Sequence, residues 1–471
     1  MTYHKAERIS TRIARFCQQD QNISCIPRIV IGGVYSGCGK TTITKGIMQA
    51  LVDEGLTVQP FKIGPDFIDP SHHTAICGRP CMNLDLFMMG EDAIRTTVAE
   101  ASEGSDIAII EGVMGLYDGL EGTSFASTAH VAKILDAPVI LVIDAKGMSQ
   151  SCHAMASGYR DYDPDLSFAG VIFNKIGSER HKTMIDTGSI TEHLGFIPKD
   201  DLFSVESRHL GLYMGDEINR NSEVGGIIAS HCNLCRIQEI ASTAPRFTYN
   251  RSLTNEQMAH PGVTIGIASD SAFCFYYQHN LAMLHRFGAK IKFFSPMTDP
   301  IPEVDALYLG GGYPELYAEC LATSQSCRQM PLAADDGMPI YAECGGLLYL
   351  SRGLVSEGDR TVKWTGILPG EVTMHTRFSA LGYSEGICRA GSGGPSLAPD
   401  GVHIRGHEFH YSSLNPDRDA QYAIKLSRGT GIASGYDGLY VHNTMGTYTH
   451  SYFSDDFTEA FLAAAHTYQR T

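Results

Sequence analysis

Residues Arg28–Thr42 read RIVIGGVYSGCGKTT, and they constrain this 471-residue chain more than any other stretch. An apolar β-rich run passes into a glycine-rich turn and then into a helical pattern. Backbone N–H groups of such a turn converge on a phosphate at the helix N-terminus. Ser36, Gly37, Cys38, Gly39 and Thr42 would form the cradle, Lys40 would reach the terminal phosphates, and Thr41 would ligate Mg²⁺. Five residues rather than four separate Gly33 from Gly39, and Val34 follows Gly33, so the strict P-loop pattern is not met. A glycine turn that only caps a helix is the bland alternative. The strand directly before SGCGKTT argues against it.

Around this unit, candidate strands Arg28–Gly32, Thr57–Ile63, Asp106–Glu111, Pro138–Asp144 and Phe168–Asn174 alternate with helical patterns. Such alternation predicts βαβ units and a mostly parallel sheet, with ligands at the carboxyl ends of the strands. Two polar segments sit just there. PFKIGPDFIDPSHH offers Lys62, Asp66 and Asp69 in a turn set by Pro65 and Pro70. IAIIEGVMGLYDG places Glu111 at a strand end and Asp118 in a Gly-rich loop. An acid ending a buried strand beside a P-loop is a common way to hold Mg²⁺. The competing readings are a turn-forming Asp66 and a solvated Glu111.

From Ile227 to about Pro261 the pattern becomes polar and turn-rich and reads as a linker. After it, VTIGIAS, AKIKFFSP, ALYLGG and MPIYAEC open a second α/β domain. The expected organisation is therefore an N-terminal extension at 1–26, a P-loop domain at 27–226, a linker at 227–260 and a second domain at 261–471. In PIYAECGGLLYL a strand meets Cys344, two glycines and a helical pattern, the sharp elbow that presents a nucleophile at a helix N-terminus. The helix end is expected to lower the thiol pKa. Upstream, ALYLGGGYPE brings glycines whose N–H groups can bind an oxyanion; Gly311, Gly312 and Gly345 are the candidates. The general base should be a histidine far along the chain: His403, His407, His410, His442 or His450.

A formal charge of −16 supplies no excess cation for phosphate backbones and argues against a nucleic-acid binder. Thirteen cysteines without a paired framework fit a reducing compartment, and the polar first residues carry no signal-peptide core. No apolar run approaches the roughly 20 residues of a membrane span. A cytoplasmic protein without membrane contact is expected. The lone HCNLC pair, Cys232 and Cys235, reads as chance, because zinc chemistry would need a second pair. AFCFYYQHN reads equally well as core or as a surface for a flat macrocycle.

The motifs SGCGKTT, FKIGPDFIDP, EGVMGLYDG, DAKGMS, SRHLGL, AFCFYY, LGGGYPE, AECGGLLYL and RGHEFHYS together resemble the cobyrinic acid a,c-diamide synthase family, including its Ni-sirohydrochlorin a,c-diamide synthase branch. The resemblance implies a dethiobiotin-synthetase-like P-loop domain, a group that shares the extra P-loop residue, followed by a class I glutaminase domain. It implies Cys344 as nucleophile and His450 as base. Nucleotide and Mg²⁺ roles would fall to Lys40, Thr41, Asp66 and Glu111, with Lys62 on phosphate and Asp66, Asp69 and Asp118 near the substrate carboxylate. Triad glutaminases carry Glu two residues after the base, whereas this chain has Tyr452. ATP, L-glutamine and a tetrapyrrole polycarboxylate are the implied partners. The implied reaction passes through an acyl phosphate that ammonia displaces. Rival readings are a cobyric acid synthase-type amidase and a partitioning-type P-loop ATPase that makes no product. Self-association as a homodimer is the assembly considered.

Overall fold

Strand Arg28–Gly33 is buried along its whole length, as are Val58–Ile63 and Ile107–Glu111. Runs this apolar are stable only with both faces covered, the situation of a parallel sheet between helices. The computed structural model of the chain describes residues 23–187, 191–200, 207–208, 211–212, 221–250, 260, 262–355 and 361–470. They fall into two compact units, Met1–Ser252 and Leu253–Thr471.

In the first unit seven parallel strands stand in the order Met82–Leu84, Val58–Ile63, Ile107–Glu111, Arg28–Gly33, Val139–Asp144, Phe168–Ile176 and His193–Pro198. The chain runs out to one edge, returns at Ile107–Glu111, then crosses to the other side of Arg28–Gly33. That reversal opens a crevice at the carboxyl ends of these two central strands, where α/β sheets take ligands. The strand ends agree with the sequence reading to within about two residues.

The linker expected at 227–260 needs correction. Helices Asn221–His231 and Leu234–Ser242 continue the first unit. Leu234, Ile237, Ile240 and Ala241 are buried, a narrow helical stripe that the polar residues between them conceal. Asn233 caps the second helix by accepting from the Arg236 amide. Ile228 packs so closely on Gly46 that a Cβ there would lie 2.2 Å from its side chain. Of the N-terminal extension, residues 1–22 lie outside the described residues, as do 251–259 and the His209–Leu210 step of SRHLGL. Ile23–Ser24 pairs antiparallel with Phe247–Thr248. Cys232 packs against Gly195 while Cys235 is exposed, so the CxxC pair builds no site.

In the second unit ten strands form one mixed sheet. Lys290–Phe294, Thr264–Ala268, Ala306–Leu309, Ile340–Glu343 and Thr444–Thr447 are parallel neighbours in that order. Tyr436–Val441, Gln421–Arg428, Ala380–Cys388, His403–His410 and His450–Tyr452 extend it antiparallel. A smaller four-stranded sheet, which includes Gly370–Met374 and Ser412–Pro416, lies beside it. Among the described residues no helix is long and apolar enough to cross a membrane.

One buried cation ties the first unit's centre to its late segments. The Arg28 guanidinium donates to Leu135 O at 2.7 Å, Ile26 O at 3.2 Å and Pro245 O at 2.6 Å, and lies 4.7 Å from the Phe247 ring centre. Arg28→Met would leave these carbonyls unpaired. We expect a loss of about 3 kcal/mol from the first unit's unfolding free energy, read by denaturant titration.

Candidate functional site

The glycine turn after Arg28–Gly33 is bent as the sequence requires. Gly37 and Gly39 take φ of 91° and 97°, a region that β-carbons disfavour, and Gly39 leads directly into helix Lys40–Asp53. Asn174, at the end of a neighbouring strand, donates to Cys38 O at 2.9 Å, and a Cβ at Gly39 would lie 2.1 Å from its amide nitrogen. Ser36 and Gly37 form an exposed rim, Cys38 faces inward, and Thr41 and Thr42 are half-buried. The arrangement is an anion cradle, with the Lys40 ammonium largely buried beside it. Burial, then the neighbouring Lys62 charge, holds Lys40 below the ordinary lysine value.

Beneath the cradle sits an acid cluster. Thr41 Oγ1 donates to Glu111 Oε1 at 2.5 Å and lies 3.4 Å from Asp69 Oδ2. Lys62 Nζ reaches Asp69 Oδ2 at 2.5 Å, Glu111 Oε1 at 2.8 Å and Gly112 O at 3.3 Å. His73 Nε2 lies 2.5 Å from Glu111 Oε2. Burial alone would lower the Lys62 ammonium, but Glu111, Asp69 and Asp66 together raise it above the ordinary lysine value. Burial likewise opposes ionisation of Asp69 and Glu111; Lys62, with His73, outweighs it and holds both carboxyls below their usual range.

Three sequence expectations change here. Lys62 spends its donors on carboxylates instead of standing free for phosphate. Asp66 is not beside Thr41; its Oδ1 accepts from the Ile68 and Asp69 amides and caps helix Ile68–Cys77. Burial and the adjacent Asp69 charge push Asp66 up to about 7. Asp69 takes the place expected of Asp66, because the capping turn aims residue 69 inward. Asp118 is exposed and closes its own loop by accepting from Gly115 N at 3.0 Å. The Thr41 hydroxyl with the Asp69 and Glu111 carboxylates offers oxygens of the hard type that Mg²⁺ takes. His73 and Asn174 were missed by sequence reasoning; the doubled histidine of DPSHH was the available signal for the first.

In the second unit Cys344 occupies the elbow between strand Ile340–Glu343 and helix Gly345–Leu350 at φ 43° and ψ −100°. A β-carbon at such φ is strained, and strain of this kind concentrates at functional positions. The small neighbours are required: a Cβ at Gly346 would lie 2.4 Å from Leu309 O, and one at Gly345 would lie 3.0 Å from Gly312 N. His450 lies against the same turn, since a Cβ on Gly311 would meet its Cε1 at 2.3 Å. The glycines that follow Cys344 and the His450 ring therefore both abut the turn Gly310–Gly312. His403 and His442 are exposed, and His442 turns at φ 52° after strand Tyr436–Val441. His407 and His410 are near His450, and His410 is stacked on Tyr448 at 3.7 Å.

The thiol expectation is reversed. Burial, then the Glu315 charge, pushes Cys344 up to about 12, and the Gly345 N–H opposes this without prevailing. A helix of six residues is a weak counterweight. Burial, with His407 and His410, pushes His450 down to about 3. Tyr452 stacks on His279 at 3.9 Å, and its hydroxyl lies 3.2 Å from His279 Nδ1. The carboxylate near His450 comes from elsewhere: Glu343 Oε2 is 3.9 Å from His450 Nδ1. Glu343 accepts from Tyr341 and Tyr308 hydroxyls and from Ser451 N, while burial pushes it up to about 8. Its signal was available in sequence as the residue just before Cys344.

Residues 29–212 match the CobQ/CobB/MinD/ParA nucleotide binding domain and residues 264–457 the CobB/CobQ-like glutamine amidotransferase domain. The fold and sites thus define a glutamine-hydrolysing carbon–nitrogen ligase. A cobyrinate a,c-diamide synthase of Methanosarcina barkeri is 43% identical over 469 residues, covering 91% of this chain and 94% of that protein. One of Halobacterium salinarum is 39% identical over 454 residues, covering 95% and 99%. One of Listeria monocytogenes is 40% identical over 441 residues, covering 90% and 96%. The chain belongs to the cobyrinate a,c-diamide synthase family.

The buried, neutral thiol has a direct consequence. In the protein alone, iodoacetamide should alkylate Cys344 at pH 8 more slowly than the exposed Cys235 and Cys320. Its rate should still be climbing above pH 10. Peptide mass mapping over a pH series measures this, and a Cys344 rate that levels near pH 7 would contradict it.

Proposed function

We propose that this enzyme converts the a and c acetate carboxylates of a tetrapyrrole into amides, using ATP and glutamine, in cobalamin or coenzyme F430 biosynthesis. The observation that supports it most is the pairing, in one chain, of a phosphate cradle over a Thr41–Asp69–Glu111 cluster with a strained Cys344 elbow and His450 set against one glycine turn. Cys344 attacks the glutamine carboxamide as His450 takes the thiol proton and passes it to the departing ammonia. The resulting thioester is hydrolysed to glutamate. Gly311, Gly312 and Gly345 N–H groups are assigned to the oxyanion. Glu343 orients His450, and in its ionised form it stabilises the imidazolium that forms beside it.

At the other centre the substrate carboxylate attacks the γ-phosphate of ATP, ADP leaves, and the carboxylate becomes an acyl phosphate, a good electrophile where the carboxylate is a poor one. Ammonia adds to the acyl carbon and phosphate leaves. Ser36–Thr42 hold the phosphates and Lys40 neutralises charge as the phosphoryl group transfers. Mg²⁺, when bound, would be held by Thr41, Asp69 and Glu111 and would neutralise phosphate charge. Lys62 and His73 keep both carboxylates ionised and oriented for it.

Side-by-side assay of ATP- and glutamine-dependent amidation of cobyrinate and Ni-sirohydrochlorin tests the substrate. Amidation of neither would refute the proposal. Cys344→Ala should abolish glutamine-dependent synthesis and leave ammonia-dependent synthesis; a variant that still hydrolyses glutamine would refute the nucleophile.

The geometry around His450 separates two neighbours. Glu343→Gln should lower glutaminase kcat by tenfold or more, about 1.4 kcal/mol, with KM little changed. Tyr452→Phe should stay within about threefold of wild type, because its hydroxyl faces His279. Steady-state glutamate release measures both, and the reverse ranking would remove Glu343 from this role.

A further inference from the structure

The turn after strand Ala306–Leu309 carries an acid that none of the steps above uses. Beyond Gly310–Gly312 the chain makes one 3-10 turn, Pro314–Tyr317, packed against helix Gly345–Leu350. The packing is close: a Cβ at Gly345 would lie 3.0 Å from Pro314 Cδ. Glu315 is the next residue, in the turn that packs on the Cys344 elbow. It is half-buried. Its charge acts on both Cys344 and Tyr313.

The fully buried acids of this unit are satisfied. Glu408 accepts from Thr430 and Gly431 amides, Asp437 from Gly438, Tyr448 and Thr449 amides, and Glu343 from two tyrosines and Ser451. Among the described residues no side chain bonds or ion-pairs with Glu315, and burial pushes it up to about 7. A desolvated carboxylate without a cation is costly, and a cation brought by a ligand removes that cost. Glutamine carries one. Its α-ammonium group stands two methylenes and the α-carbon away from the carboxamide that Cys344 would attack.

We infer that Glu315 is the anchor for the α-ammonium group of glutamine and selects an α-amino acid amide over other primary amides. The inference rests on the glutaminase reading of Cys344. It also gives the neutral thiol a purpose. Without donor, the Glu315 charge opposes thiolate formation at Cys344. A bound ammonium cancels that charge, so the nucleophile is readied by the correct donor and idle without it.

The test compares glutamine with 4-carbamoylbutanoate, the same amide lacking the α-amino group, in the full-length wild type and in Glu315→Gln. The variant should lose roughly thirtyfold in kcat/KM for glutamine, mainly through KM, and respond far less with the analogue. Glu315→Asp, which keeps the charge, should recover part of the preference. Alkylation of Cys344 by iodoacetamide without donor should be faster in Glu315→Gln than in wild type. Equal responses to both amides would overturn the inference, as would an unchanged preference for glutamine. If wild type itself releases no ammonia from glutamine, the glutaminase reading falls as well.

Discussion

Lys62 holds its ammonium inside the first unit, 2.5 Å from Asp69 and 2.8 Å from Glu111, and the phosphate side of the molecule is arranged around that contact. The groups come from separate pieces: Lys62 from strand Val58–Ile63, Asp69 and His73 from helix Ile68–Cys77, Glu111 from strand Ile107–Glu111, and Thr41 from the helix after the glycine turn. None of the charges could be buried alone. Removing one partner of such a cluster leaves an uncompensated ion, which typically costs about 3–5 kcal/mol. The same ion cluster that joins these elements therefore supplies the oxygens that face the cradle. Stability and phosphate chemistry are coupled through shared atoms.

The second unit solves the corresponding problem with backbone strain and neutral groups. Cys344 is held at positive φ by glycines that admit no β-carbon, while Cys344 and His450 are both kept neutral by burial. The two units thus differ in construction, one around a buried ion network and the other around a desolvated thiol at a strained elbow.

Much of this was legible in sequence because it depends on residues with few conformational alternatives. The glycines of SGCGKTT and AECGG announce turns that other residues cannot make, and unbroken apolar runs announce buried parallel strands. What was hidden depends on direction rather than composition. Asp66 and Asp69 are equivalent as letters, yet the cap that Asp66 forms on its own helix turns Asp69 toward Thr41. The helix Leu234–Ser242 was concealed because its buried stripe is narrow and interrupted by polar residues. Glu343 escaped notice because a carboxylate was sought two residues after His450, whereas the fold brings one from the residue before Cys344. The thiol shift depends on how completely the elbow is covered, which no local pattern reports.

The central claim is that one chain joins glutamine hydrolysis to nucleotide-driven amidation of a carboxylate. It is tested most directly by the fate of nitrogen in a single reaction. The purified protein is given ATP, a tetrapyrrole polycarboxylate and glutamine labelled with ¹⁵N in its side-chain amide, in the presence of unlabelled ammonium. Mass spectrometry of the product should show two new amides carrying ¹⁵N, with glutamate and ADP formed in step with them. Product amides labelled only to the level of free ammonium, or glutamate released without any amide formed, would contradict the account.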